Sequence, residues 1–447
     1  MSRISVLAGV IGAIMASSAM AGPVAVSLRP EARPAPEATG MLTRGPLTRS
    51  LRPLARPAGF DALDGTSPVS AAATPELVRW IGQFRRRALA RGISPRVFDA
   101  AFRGVRYDTE AIAKDRNQAE FKTNIWDYLD NVASPPRIEE GKRMLRKYAH
   151  SLRRIEKTFD VDKEIVVAIW GMESRYGADR GDHEMIDALA TLAHDGRRGR
   201  FFEKQLIAAL KIVQSGDVRL SDFKGSWAGA MGHTQFMPTS YLAYAVDFTG
   251  DGRRDVWSDD PTDALASTAA YLHRFGWTKG QPWGVEVRLP PGFSTAQASR
   301  SIRHRPPQWA RIGVTDMSGK PVPDYGPAAI LLPAGRPGPA FMIFDNFSVL
   351  ERYNSADAYV IGVGHLADRI SGGPAIRTPW PRGYEPLSFD QRKEVQRRLM
   401  QRGFKLEKVD GLIGANTRAA IRAYQEARGL TPDGFPSKEV LQALRGG

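Results

Sequence analysis

The sequence contains no cysteine in its 447 residues. The protein therefore has no disulfide bond, no thiolate nucleophile and no cysteine ligand for a metal. Histidine is scarce, with seven residues, and none has the His-Glu-x-x-His spacing of a zinc protease. The sequence also lacks a Gly-x-Ser-x-Gly nucleophile elbow and a glycine loop that binds phosphate. These absences argue against thiol, zinc-protease, serine-hydrolase and nucleotide chemistry.

The sequence also lacks a long hydrophobic run. Near the N-terminus, Arg3 precedes the apolar residues 4–16, and residues 19–21 have the small-x-small pattern of a cleavage site. About 13 apolar residues fall short of the ~20 that span a bilayer. We therefore predict a secretory signal peptide over residues 1–21 and a soluble mature protein without a transmembrane segment. The alternative is an uncleaved membrane anchor.

Acidic residues are in deficit. The chain has 63 Lys and Arg against 48 Asp and Glu, which gives a formal net charge of +15. Such a charge favours an anionic partner. Nucleic acid is one candidate, but the predicted export favours an anionic cell-wall polymer or a membrane surface.

Composition and periodicity divide the chain into segments. Residues 22–73 are rich in Pro, Ala, Arg and Ser without periodic apolar positions, which predicts a disordered tether. After it, helical periodicity is interrupted by strand-like alternation at 285–289 and by a hairpin pattern at 329–332 and 341–344. We predict a mainly α (α+β) domain over residues 74–371 with a small β insert.

The last part of the chain forms a separate unit. Residues 372–386 are rich in proline and glycine, which predicts an interdomain linker. Residues 387–447 then show helical patterns at 389–402, 417–428 and 438–444, separated by Asp-Gly turns. We predict a small three-helix C-terminal domain.

One carboxylic acid stands at the end of an apolar helix. Residues 165–173 are nearly all apolar and finish in Glu173, which lies four residues after Ile169 and eight after Ile165. On a helix these positions share one face, so we expect the carboxyl to be buried. Desolvation favours the neutral carboxyl, which is the form that a general acid needs. The alternative is a structural Glu paired with Arg175.

Several motifs follow one another along the chain. They are ESRYG at residues 173–177, RR at 197–198 before FF at 201–202, WAGAMGHTQFMPTSY at 227–241, an acidic loop at 247–257 and RYN at 352–354. In this order they resemble the lytic murein transglycosylase B family. The resemblance covers roughly residues 75–370 and overturns the structural reading of Glu173.

The resemblance implies both a fold and an activity. It implies a lysozyme-like helical catalytic domain that cleaves the β-1,4 bond between N-acetylmuramic acid and N-acetylglucosamine and leaves 1,6-anhydromuramyl ends. Glu173 would act first as acid and then as base, so one carboxylate suffices where typical glycosidases use two. Position 233, where His stands, carries no implied role. The implied substrate-binding residues are Ser226, Gln235, Tyr353 and Asn354.

The acidic loop resembles an EF-hand calcium loop. Gly252 holds its sixth position, where a sharp turn is needed, but Ser258 holds the twelfth in place of a bidentate Glu. The candidate ligands are Asp247, Thr249, Asp251, Arg253 and Asp255. A structural calcium ion and a turn without metal are both open interpretations, and the chemistry itself needs no cofactor.

The C-terminal unit resembles the small three-helix peptidoglycan-binding domain, through Tyr424-Gln425 and the Asp-Gly turns at 410–411 and 433–434. The sequence thus predicts a periplasmic lytic transglycosylase that acts in cell-wall remodelling or turnover. Its predicted partners are peptidoglycan glycan strands and not nucleic acid, with cell-wall synthesis or division proteins as further candidates.

Two alternatives remain open. The first is a hydrolytic muramidase, which needs a second carboxylate to activate water, and its candidates are Asp179, Asp182 and Asp187. The second is a non-catalytic peptidoglycan-binding scaffold, which would be favoured if Glu173 or the motif around Gln235 had been lost by substitution. Both motifs are present in the sequence.

Overall fold

The computed structural model describes residues 70–117, 124–383, 387–411 and 413–446. The predicted signal peptide at 1–21 lies outside the described residues, as does all but the end of the predicted tether. Within these ranges, every helix is too short or too polar to span a bilayer.

The described chain starts with a short strand. Strand β1 (Ser70–Ala72) pairs antiparallel with β2 (Arg106–Asp108), and Ser70 lies opposite Asp108. The predicted tether over residues 22–73 therefore extends too far, because residues 70–72 are part of a sheet. A three-residue strand whose partner lies far along the chain carries no local pattern that could mark it.

A body of short helices follows, and capping residues mark where the first two begin. The Thr74 hydroxyl accepts from the Leu77 amide at 3.2 Å, and the Ser94 hydroxyl accepts from the Val97 amide at 3.3 Å. In both helices a proline follows the capping residue. Proline has no backbone N–H, and an N–H at this first position of a helix would have no partner within the helix. The helices are α1 (Pro75–Leu89), α2 (Pro95–Ala101), α3 (Thr109–Asn117), α4 (Ile125–Val132), α5 (Pro135–Lys147), α6 (Ala149–Phe159), α7 (Lys163–Ser174), α8 (Met185–Asp195), α9 (Gly199–Ser215), α10 (Pro238–Tyr244) and α11 (Thr262–Arg274), with the strand pair β3 (His183–Glu184) and β4 (Lys224–Gly225) among them.

The β insert is an antiparallel sheet of four strands, β5 (Gly284–Arg288), β6 (Thr315–Asp316), β7 (Ala329–Leu331) and β8 (Ala340–Ile343), in the order β6-β5-β8-β7. The predicted hairpin is confirmed, because β7 pairs with β8 and Ala329 lies opposite Ile343. One face of the sheet has its own core around the fully buried Trp309. The helices of this region are α12 (Pro306–Arg311), α13 (Asp345–Tyr353) and α14 (Asp357–Ile370).

Helix α7 runs through the main core. Its residues from Ile165 to Gly171 are all buried, and α5, α6, α11 and α14 pack around it. A helix surrounded on all sides has no polar face, which explains the continuous apolar run in the sequence. Each fully buried aliphatic side chain contributes roughly 1.5–3 kcal/mol, so this run fixes the position of α7 firmly.

The predicted C-terminal helices are confirmed, with ends shifted by a few residues. They are α15 (Phe389–Gln401), α16 (Ala415–Ala427) and α17 (Lys438–Gly446). Val395, Ile421 and Leu441 belong to their shared core. Two buried glutamines organise the Asp-Gly turns, since Gln396 Oε1 accepts from Gly411 N and Gln425 Oε1 accepts from Gly434 N, each at 2.7 Å.

The C-terminal helices contact the β insert. The Thr295 hydroxyl donates to the Pro432 carbonyl, and Arg422 Nη2 donates to the Ala298 carbonyl at 3.2 Å. Residues 372–383, which belong to the predicted linker, form no helix or strand. They are nevertheless attached to the helical body, for example by the Arg382–Asp130 ion pair at 2.6 Å.

Candidate active site

Glu173 lies on the last turn of α7, where the helix leaves the core. Its side chain is half-buried, whereas Ile165 and Ile169 are almost fully buried. The expected burial of this carboxyl is therefore wrong. Because 3.6 residues make one turn, eight residues rotate Glu173 by about 80° from Ile165, and the helix ends one residue later. The carboxyl thus stands at the boundary between the core and solvent.

The Glu173 carboxyl has a tyrosine partner that the motifs did not indicate. Tyr359, on the first turn of α14, donates its hydroxyl to Glu173 Oε1 at 2.7 Å. Tyr359 is itself buried, so this contact fixes one carboxyl oxygen. A second phenol, Tyr128 on α4, responds to the charge of Glu173. Burial raises the pKa of Tyr128, and the negative charge of Glu173 raises it further.

The chain turns sharply after Glu173. Arg175, Tyr176 and Gly177 all have positive φ values, of 52°, 58° and 88°. Non-glycine residues in this region cost stability and persist only where neighbours hold them. The Tyr176 hydroxyl donates to the Arg137 carbonyl at 2.8 Å, and its ring leaves no room for a Cβ at Gly171. The ESRYG motif therefore encodes the turn as well as the acid.

The second motif forms a tight loop that positions Ser226 and Gln235. The Ser226 hydroxyl accepts from the Ala230 amide at 3.0 Å. Gln235 is buried, has a φ of 54°, and donates its amide nitrogen to the carbonyls of Arg180 at 3.1 Å and Gly232 at 2.8 Å. The side chain of Gln235 is thus held by its own loop and by the segment that follows the turn after Glu173.

The loop is fastened to the Glu173 helix and to α13. The Ser174 hydroxyl donates to the His233 carbonyl at 2.5 Å. From the other side, the Tyr353 hydroxyl donates to the Thr234 carbonyl at 2.6 Å. The two carbonyls that precede Gln235 are therefore both fixed, and Glu173, Gln235 and Tyr353 belong to one hydrogen-bonded assembly.

Asn354 follows Tyr353 at the end of α13. It is 2% exposed, and its Oδ1 accepts from the Ala356 amide at 3.1 Å. Its Nδ2 is buried and has no hydrogen-bond partner within the described part of the chain. A buried amide donor without a partner carries a desolvation cost of about 1–3 kcal/mol, which a bound hydroxyl or carbonyl would offset.

The acidic loop gathers three carboxylates. Oxygen atoms of Asp247, Asp251 and Asp263 lie within 4.8 Å of one another. Asp263 is buried at the start of α11, and burial raises its pKa to about 6 although it accepts three backbone amides. The Thr249 hydroxyl donates to Asp247 Oδ1 at 3.4 Å, which places it beside the group.

This group does not coincide with the predicted ligand set. Asp255 is not one of its three carboxylates, and its Oδ1 accepts from the Trp257 and Ser258 amides at 2.8 and 3.0 Å. The third carboxylate is Asp263, five residues beyond Ser258 in the sequence. Arg253 contributes its amide to Asp251 Oδ1 at 2.9 Å.

Comparison with known proteins agrees with this geometry. The profile of the transglycosylase SLT domain matches residues 76–368, which include Glu173, the Gln235 loop and Asn354. The chain belongs to the SLT family of lytic transglycosylases. The profile of a peptidoglycan-binding domain matches residues 389–444, which cover helices α15 to α17.

Relatives of this transglycosylase include characterised proteins and solved structures. Membrane-bound lytic murein transglycosylase B of Escherichia coli K12 is 34% identical over 251 residues, which span 55% of this chain and 66% of that protein, just under two thirds of its length. SltB3 of Pseudomonas aeruginosa, solved with NAG-anhNAM-pentapeptide, is 48% identical with a TM-score of 0.81 and covers 83% of this chain and 100% of its own. Escherichia coli Slt35, solved with calcium, is 27% identical with a TM-score of 0.56 and covers 68% and 98%.

Sequence reasoning missed two residues of this transglycosylase site, Tyr359 and Asp263. Tyr359 sits in an apolar helix pattern, and its partner Glu173 lies far away in the sequence. Asp263 was visible only as one of several acidic residues after Ser258. Tyr359 could have been found only from knowledge that α14 packs against the end of α7.

Proposed function

We propose that this lytic transglycosylase cleaves the β-1,4 bond between N-acetylmuramic acid and N-acetylglucosamine, with Glu173 as the single acid and base. The observation that carries the proposal is the Glu173 carboxyl, half-buried at the end of α7 and hydrogen-bonded to Tyr359. It stands beside the Gln235 loop in a chain of this family. SltB3 was solved with an anhydromuramyl peptide, which supports the same product class here.

The contact with Tyr359 indicates how the proton moves. Because Tyr359 donates to Oε1, the proton that Glu173 delivers belongs on Oε2. That proton passes to the glycosidic oxygen as the bond to the muramyl C1 breaks. The resulting carboxylate then takes the proton of the muramyl 6-hydroxyl, and the 6-oxygen bonds to C1. No water is consumed, and the hydrogen bond from Tyr359 strengthens when Glu173 is charged.

The other predicted site residues divide by what they already bind. We propose that Tyr353 acts through the loop, because its hydroxyl is committed to Thr234. We propose that Asn354, which follows Tyr353, lines the cleft beside it, and its buried Nδ2 has no hydrogen-bond partner within the described part of the chain. We propose that Ser226 and Gln235 line the cleft beside these two residues and bind the muramyl group.

We propose a structural calcium ion in the acidic loop. Three carboxylates and the Thr249 hydroxyl supply the hard oxygen ligands that calcium prefers. Asp263 would replace Asp255 in the predicted ligand set, with Asp247 and Asp251 retained. Lytic transglycosylases need no cofactor for the reaction, so calcium would act on stability. Slt35 was solved with calcium, which supports this assignment.

We propose the periplasm as the site of action, with residues 1–21 as the signal peptide. Residues 387–447 would then bind the wall and keep the catalytic cleft near polymeric substrate. The matched peptidoglycan-binding domain supports this role. Proteins of cell-wall synthesis or division remain candidate partners in this setting.

Mass spectrometry of products from purified sacculi tests the proposed reaction. A transglycosylase leaves muramyl ends one water lighter than the reducing ends that a hydrolase leaves. Anhydromuramyl products support the proposal, whereas reducing ends would favour the muramidase with a second carboxylate.

A further inference from the structure

His233 lies between the Glu173 helix and the acidic loop, and the family resemblance gave it no role. It is 3% exposed, and both ring nitrogens have partners. Trp170 Nε1 lies 3.0 Å from His233 Nδ1, and the Ser258 carbonyl lies 2.7 Å from His233 Nε2. The ring thus bridges α7 and the chain between Asp251 and Asp263.

The partners fix the protonation of the ring. An indole N–H only donates, so His233 Nδ1 must accept. A carbonyl only accepts, and the Ser258 carbonyl at 2.7 Å is nearer to Nε2 than Arg180 Nη1 at 3.4 Å, so Nε2 carries the hydrogen and donates it to Ser258. His233 is therefore neutral and in a single tautomer. Burial lowers the pKa of His233, the hydrogen bond to the Ser258 carbonyl raises it in part, and Arg180, which binds the same carbonyl at 2.8 Å, lowers it further.

Three contacts connect His233 to the surroundings of Glu173. Trp170 precedes Glu173 by three residues on the same helix. Ser174, the next residue, donates its hydroxyl to the His233 carbonyl at 2.5 Å. The ring also lies against Gly177, where a Cβ would come within 2.6 Å of it. The strained turn at 175–177 is therefore held from outside by His233.

We propose that His233 is a positioning residue that sets the orientation of Glu173 by joining α7 to Ser258 through one neutral tautomer. The proposal rests on the proposed function in one respect, namely that Glu173 carries the proton. His233 acts through Trp170, Ser174 and the turn after Glu173. It is not proposed to touch the substrate or the transferred proton.

Amide substitutions separate the two halves of the bridge. His233→Asn places an acceptor near the position of Nδ1, so it keeps the bond from Trp170. His233→Gln places a donor near the position of Nε2, so it keeps the bond to Ser258. His233→Phe keeps a buried ring and loses both bonds. His150, which is exposed on α6, supplies the matched control His150→Gln.

Kinetics on a short soluble glycan measure the positioning. We expect His233→Phe to lower kcat by roughly 10- to 100-fold, the range for a small misplacement of a catalytic group, with little change in KM. His233→Asn should recover part of that loss, because it restores the bond nearest Glu173, and His150→Gln should behave as wild type. Full activity in His233→Phe, or a change confined to thermal stability, would overturn the proposal.

The tautomer is measured independently of activity. Nitrogen-15 NMR of histidine-labelled wild-type protein should show His233 with a bare Nδ1 and a protonated Nε2 at neutral pH. The opposite tautomer, or a charged ring, would overturn the proposal even if no variant folds. If Glu173→Gln retains activity while the tautomer is as expected and His233→Phe is impaired, the function proposed for Glu173 fails and the His233 bridge stands.

Discussion

The Tyr359 hydroxyl lies 2.7 Å from Oε1 of Glu173. A buried donor on α14 therefore fixes one oxygen of this carboxyl, and we propose that the other oxygen carries the transferred proton. The relationship joins two helices that are remote in the sequence. It also gives a single carboxyl an asymmetric environment, which suits a group that acts first as acid and then as base.

Replacing Tyr359 by Phe should weaken catalysis without unfolding the protein. A hydrogen bond to a charged group contributes about 1.5–3 kcal/mol, so we expect a fall in kcat of roughly 10- to 100-fold. The measurement is kcat and KM on a short glycan, with circular dichroism to check folding. Unchanged kcat in a folded variant would show that Tyr359 only packs against Glu173.

The calcium assignment predicts a difference between two neighbouring aspartates. Asp251→Asn should abolish the rise in melting temperature that calcium produces, because Asp251 belongs to the carboxylate group. Asp255→Asn should keep that rise, because Asp255 lies outside the group and the Asn amide oxygen can still accept from the Trp257 and Ser258 amides. Melting curves with calcium and with a chelator make the comparison. An unaffected wild-type curve would mean that the loop is only a turn.

Acid should destabilise the His233 bridge. The folded pKa of His233 lies below the ordinary value of about 6.5, so the unfolded chain binds the proton first. The contribution of the neutral His233 ring to stability is complete above about pH 6.5 and is lost as the pH falls through the folded pKa. The free energy of unfolding then decreases by at most about 1.4 kcal/mol per pH unit. The charged groups that influence the ring are Arg180, Asp255 and Asp259.

The comparison for this pH effect is His233→Asn, which cannot titrate. Denaturant unfolding between pH 7.5 and pH 5 should show wild-type protein losing more stability than the variant. Parallel pH profiles for the two proteins would contradict the assignment of a neutral His233.

Removing residues 388–447 should lower activity on polymeric substrate more than activity on a short one. The residues proposed for catalysis all precede the linker, so activity on a short glycan should survive. Activity on sacculi should fall several-fold, because the domain no longer holds the cleft near the polymer. Truncation also uncovers the contacts of Thr295 and Ala298, so a lower melting temperature is expected. Equal loss on both substrates would mean that this docking supports the catalytic domain itself.

Local patterns predicted much of the fold. The apolar run before Glu173, the hairpin around Gly335 and the C-terminal helices each carry their signal within one segment. The residues of the turn after Glu173 and of the Gln235 loop were found as motifs of the family, but their positive φ values were not predicted.

The features that were missed depend on distant partners. Tyr359 reaches Glu173 only because α14 packs on α7. Asp263 completes the carboxylate group because the chain between Asp255 and α11 folds back. The strand at 70–72 exists through its pairing with β2. The exposure of Glu173 depended on where α7 ends, and the apolar period alone did not fix that position.

The central claim is that Glu173 alone moves the proton and that anhydromuramyl ends result. The most direct measurement is mass spectrometry of sacculus digests by wild type, Glu173→Gln and the control Glu164→Gln, which alters the other end of α7. We predict anhydromuramyl products from wild type and the control, and a loss of at least roughly 100-fold in Glu173→Gln. A folded Glu173→Gln that keeps a tenth of wild-type activity, or products with reducing ends, would contradict the account.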